Sequence, residues 1–172
     1  MTVMFRRILL LAFTFFLCAL NASAQTTNYQ VYSLFVMNIA KYSSWPQSSA
    51  EFDIAVVGKS KVYDELAKYA ERGVNGMKMK VRLIEDLASL GSPQILYLSD
   101  GKSSLIDEII KTTAGKSIMI VTEREGLHKK GAGFSFFINE NNNLRFDINN
   151  TELEKRNIKV AKNLSGMAHE VL

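Results

Sequence analysis

Ile118 to Val121 is an unbroken run of four apolar residues. A run this short, with no polar alternation, marks a strand covered on both faces. Such a strand needs helices above and below its sheet, and the flanking sequence supplies them. From Tyr29 the pattern is helical, with Val31, Leu34, Phe35, Ile39 and Tyr42 as its apolar stripe and Trp45-Pro46 as its stop. Phe52 to Val57 reads as a short strand closed by Gly58. Ser60 can cap the next helix, whose apolar positions are Val62, Leu66, Tyr69 and Ala70. Lys78 to Ile84 alternates, with Met79, Val81 and Leu83 on one face, and Ile95 to Leu98 is a further strand. Ser104 and Asp107 resemble a capping box for a helix with Leu105, Ile106, Ile109 and Ile110 inward and Gly115 as its C-terminal cap.

The pattern changes after Gly131-Ala132-Gly133. Phe134, Phe136 and Ile138 alternate, Asn141 to Asn143 turn, and Leu144, Phe146 and Ile148 alternate again, which predicts an antiparallel hairpin. Thr151 and Glu154 suit a capping box, and Leu164, Met167, Ala168 and Val171 a closing amphipathic helix. Strands alternating with helices, then a hairpin, predict an α/β fold: a three-layer α/β/α sandwich. Its sheet is mostly parallel, with a C-terminal antiparallel hairpin at the edge.

The N-terminus carries different information. Arg6 and Arg7 precede an apolar stretch from Ile8 to Leu20, followed by Asn21-Ala22-Ser23-Ala24. Basic, apolar, then small-x-small is the layout of a secretory signal peptide, too short for a comfortable membrane span. The reading is a signal peptide over 1–24, cleaved after Ala24, and a single domain over 25–172 exported to the periplasm. Cys18 raises a lipoprotein anchor as the rival, but Leu17 stands where a small residue is wanted. The leader takes two of the 21 basic residues and none of the 17 acidic ones, leaving a net charge of +2. Bulk charge therefore gives no support to a nucleic-acid partner. Cys18 is the only cysteine, so the exported domain has no disulfide to staple it.

Catalytic motifs are absent. Gly-Lys-Ser occurs at Gly58, Gly101 and Gly115, but Asp53, Leu96 and Ile110 stand where a phosphate-binding loop needs its first glycine. Turn and cap chemistry accounts for all three. No Gly-x-Ser-x-Gly elbow exists. His128, beside Lys129 and Lys130, reads as part of a solvated loop, and His169 as the end of the last helix. With the histidines far apart and no cysteine in the mature chain, neither a metal site nor a cofactor is expected. Two features stand out. Asn38 interrupts the first helix's apolar stripe, which predicts a buried side chain bonded to backbone or serving a ligand. Trp45, with Tyr42, sits at that helix's exit as core or as binding surface.

At this point a resemblance appears. Leu34-Phe35-x-x-Asn38-Ile39-Ala40-x-Tyr42-x-x-Trp45-Pro46 is similar to the first helix of the YfiR family. Phe52 to Gly58 and Pro93 to Leu98 resemble its strands. Further matches are Ile118 to Glu123, Gly126-Leu127, Gly131-Ala132, Leu144 to Asn149, and Ile158-Lys159-Val160-Ala161-x-x-Leu164. The resemblance implies a periplasmic regulator, not an enzyme, that binds the periplasmic part of an inner-membrane signalling protein, a diguanylate cyclase, and represses it. It also implies that an outer-membrane lipoprotein can sequester the regulator. Relatives often carry cysteines at the positions of Ala55 and Pro93, and none stand here.

Three functions follow. The first is a regulator acting by protein contact through Asn149, Leu164 and Met167. The second is a small-molecule sensor or carrier whose ligand binds at the carboxyl ends of the parallel strands, lined by Lys59, Ser99, Asp100 and Glu123. The third is a hydrolase without a recognised motif. The identity of any ligand and the formation of a homodimer stay open.

Overall fold

The structure, a computed structural model, describes residues 22–47 and 49–172. The expected signal peptide, apart from Ala22 to Ala24, lies outside the described residues. Helix α1 spans Ala22–Lys41. Strand β1 (Ser43–Ser44) follows at once, so the chain leaves the helix before Trp45-Pro46 can stop it. Then come β2 (Glu51–Val57), α2 (Lys61–Ala67), β3 (Lys78–Ile84), β4 (Ile95–Leu98) and α3 (Ile106–Thr112). The remaining elements are β5 (Met119–Thr122), β6 (Phe134–Ile138), β7 (Leu144–Ile148), α4 (Asn150–Lys155), β8 (Lys159–Val160) and α5 (Lys162–Ser165).

Six strands form one sheet in the order β3-β2-β4-β5-β6-β7. Every pairing is parallel except β6 with β7. The expected mostly parallel α/β sheet with a hairpin at its edge is what the chain forms. Both faces are covered, as the Ile118–Val121 run requires. Ile54, Val56, Tyr97, Met119 and Val121 point into one core with Val36, Ile39, Val62 and Leu66. Ala55, Val57, Leu96, Leu98 and Ile120 point into a second core with Ile106, Ile109 and Leu127. Each central strand thus loses water on both sides, and burial of its branched side chains stabilises the sheet by roughly 1.5–3 kcal/mol apiece.

The first helix is rotated from the expected stripe. Val36, Ile39 and Ala40 are fully buried, with Ser33 beside them, while Leu34 is 48% exposed and Asn38 lies in solvent. Buried Ser33 is tolerated because its hydroxyl donates to the Gln30 carbonyl at 2.8 Å. Asn38 is therefore a surface residue, not a buried polar one. Trp45 belongs to the fold: its ring packs edge-on against Phe52 at 5.1 Å, and its indole N–H donates to the Gln94 carbonyl.

The expected closing helix is also corrected. Helix α5 stops at Ser165, and the residues after it turn back along β7. There His169 N–H donates to the Phe146 carbonyl, Ile148 N–H to the Glu170 carbonyl, and Leu172 N–H to the Ile148 carbonyl. Ile148 and Val171 form a parallel bridge. The segment His169–Leu172 is thus laid along the outer edge of the sheet. Among the described residues no helix is long and apolar enough to cross a membrane.

Candidate functional site

Three places on the molecule carry chemistry, and the sheet order positions the first. The chain leaves β2 towards β3 on one side and returns to β4 on the other, so the loops after β2 and β4 diverge. That topological switch point is where open α/β sheets hold ligands. Gly58 makes the divergence possible. Its φ is +85°, which glycine adopts without cost, and a Cβ there would fall 2.5 Å from Ser99 Oγ. Ser99 is buried, its hydroxyl donating to the Val57 carbonyl at 2.8 Å. The result is a cleft of about 550 Å³ lined by Lys59, Leu83, Glu85, Ser99 and Lys102 among others. Two lysines against one carboxylate make it net cationic.

Asp100 and Glu123, expected in the same crevice, belong to a separate cluster. Glu123 Oε1 accepts from Ser60 Oγ at 2.8 Å and from the Tyr97 hydroxyl at 2.9 Å. Its Oε2 accepts from the Asp100 N–H at 2.9 Å. Ser60 caps α2 after β2, Asp100 follows β4, and Glu123 follows β5. One carboxylate therefore ties three loops together. Asp100 turns outward to Arg124 Nε at 2.8 Å. The phenols nearby stay neutral: burial, then Glu123, pushes Tyr97 well above the ordinary tyrosine range. Burial first, with Glu123, Tyr29 and Asp100 behind it, pushes Tyr32 up to about 12. A neutral phenol donating to this carboxylate, together with Ser60 and the Asp100 N–H, positions the loops.

The third place was not legible in the sequence. His128 sits in a short 3-10 turn, Leu127–Lys130, between two left-handed glycines, and is buried rather than solvated. Its N–H donates to Ser135 Oγ at 2.6 Å, and its carbonyl accepts from Asn149 Nδ2 at 2.7 Å. Asp147 of β7 is buried beside it, with Oδ2 at 3.6 Å from His128 Nδ1. Asp147 Oδ1 meets His169 Nδ1 at 3.0 Å and accepts from the Glu170 N–H at 3.1 Å. Glu170 Oε2 lies 3.2 Å from His128 Nε2 and 2.9 Å from Lys129 Nζ. The ammonium of Lys129, ahead of every other group, holds the Glu170 carboxyl below the usual carboxylate range. One signal was available: the hairpin register pairs Ser135 with Asp147, so both leave the phenylalanine face together.

The expected partner surface divides. Asn149 is buried, and its side chain is bonded at both ends, Oδ1 capping α4 at Glu152 N–H and Nδ2 donating to the His128 carbonyl. Leu164 is in the core. Met167 is 60% exposed, and Val171 and Leu172 stand open near it in sequence.

A family model described as YfiR/HmsC-like matches residues 29–169. No curated protein matches the chain.

Proposed function

Because the chain belongs to the YfiR/HmsC-like family, we propose that it is a periplasmic regulator. It represses an inner-membrane signalling enzyme of the diguanylate cyclase kind by reversible protein contact, without catalysis of its own. The observation that carries this reading is the family match over residues 29–169, nearly all of the described chain. Net charge favours an apolar contact, because +2 on the exported domain supplies little electrostatic steering. Met167, Val171 and Leu172 supply exposed apolar area on one stretch of chain. An outer-membrane lipoprotein that takes up the same surface would relieve repression.

The test is deletion of the gene followed by measurement of cyclic di-GMP, then complementation with wild type or Met167→Glu. Deletion raises the output, wild type restores repression, and the folded Met167→Glu protein restores it poorly. Unchanged output in the deletion strain, with the partner expressed, overturns the reading. A second reading, a small anionic ligand in the switch-point cleft, is favoured by Lys59 and Lys102 around Gly58. The two are compatible, since a ligand that prefers one conformation biases partner binding.

A further inference from the structure

We propose that His128, Asp147 and Glu170 form a binding site for a divalent transition-metal ion of the zinc class. One donor atom from each lies within 4.8 Å of the others. Three strands of argument converge on this reading, and none rests on the regulatory function.

The first is donor chemistry. An imidazole with two carboxylates suits zinc and its neighbours, whereas magnesium and calcium favour all-oxygen sites. The second is burial. The side chains of His128 and Asp147 are 1% and 4% exposed, and that of Glu170 is 37% exposed. The site is thus walled on one side and open on the other, as an ion with a water ligand requires. The third is an orphaned atom. Among the described residues His128 Nδ1 is buried without a hydrogen-bond partner. Its neighbour Asp147 Oδ2, at 3.6 Å, is too far to bond it. Two ligands on a tetrahedral zinc, with bonds near 2.0–2.1 Å, stand about 3.4 Å apart. At 3.6 Å the gap between Nδ1 and Oδ2 is close to that width.

An ion there takes Nδ1 and Oδ2 as its buried ligands. Glu170 accepts from Nε2–H at the opposite edge of the ring, which leaves Nδ1 unprotonated and facing the ion, and water completes the shell. His169, already on Asp147 Oδ1, holds that carboxylate in orientation. Lys129, exposed and paired with Glu170 at 2.9 Å, stays outside the gap. Bound metal would join the 3-10 turn, β7 and the His169–Leu172 segment at one point.

The experiment uses the untagged full chain, stripped with chelator and titrated with zinc chloride by calorimetry, with thermal melting in parallel. We expect one ion per chain at a Kd of about 10 µM or tighter, and a Tm raised by about 5 °C at saturating zinc. Glu170→Gln, at a partly exposed position that packing does not depend on, weakens binding at least about tenfold, and His128→Gln abolishes it. Magnesium chloride gives no heat. Absence of zinc binding in wild type overturns the proposal. So does unchanged affinity in Glu170→Gln, which decides the matter should His128→Gln misfold. Equal binding of magnesium overturns the imidazole as a ligand.

Discussion

Replacing Tyr97 by phenylalanine isolates what the Glu123 cluster contributes. Tyr97 is fully buried, and its hydroxyl donates to Glu123 Oε1 at 2.9 Å. Phenylalanine keeps the ring and its packing, so the cavity left is small and the change is close to loss of one bond. A hydrogen bond to a charged acceptor is worth about 1.5–3 kcal/mol. Glu123 keeps Ser60 and the Asp100 N–H, and it is only half-buried, so water replaces part of the loss. The expected destabilisation is therefore at the low end, about 1.5 kcal/mol, read by urea denaturation at pH 8. The same variant has a signature in alkali. Burial, then Glu123, raises the folded-state pKa of Tyr97 above its unfolded value. Stability from such a group is fully present below the unfolded pKa, about 10, and is lost as pH rises towards the folded one. Wild type therefore loses stability above pH 10 more steeply than Tyr97→Phe, with Tyr32 supplying part of the slope left in the variant. Equal stability at pH 8, or parallel alkaline slopes, would show that the phenol–carboxylate bond does not support the loops.

Other substitutions test the remaining geometry. Gly58→Ala forces a left-handed backbone and drives a methyl into Ser99 Oγ and Lys102, for a loss of about 2–4 kcal/mol in chemical denaturation. Asn149→Ala removes the cap on Glu152 and the bond to His128 together, and costs about 2–3 kcal/mol by the same assay. Asn38→Leu, on the solvent face of α1, shifts stability by no more than about 0.5 kcal/mol.

The parts of the fold that local pattern determines were legible. Short, mainly apolar runs marked β2, β4 and β5, and alternation marked the β6–β7 hairpin, because side-chain period reports burial directly. The phase of α1 was misread because Ser33 satisfies its hydroxyl within its own helix and so can be buried, while Leu34 is left outside. The capping box at Ser104 does not start α3. A 3-10 stretch, Asp100–Leu105, comes first, and α3 begins after Leu105 without a side-chain cap. The candidate site residues divide for a different reason. Lys59 and Ser99 meet in one cleft because the strands bearing them are neighbours, which topology predicts. His128 meets Asp147 and Glu170 through a loop and an added edge segment, and no periodicity encodes either. The hydrogen-bonding uses of Asn149 and Glu123 were likewise invisible, since each is spent on partners distant in sequence.

The segment His169–Leu172 gives the sheet two unlike borders. At β3 the border is guarded by charge over its first half, where Lys78 and Lys80 are exposed. At β7 the border is defended by a removable strip held by a few main-chain bonds. Lifting that strip requires only local opening and leaves both cores intact. A molecule so opened uncovers the main chain of β7 as a pairing edge, while β3 keeps its lysines.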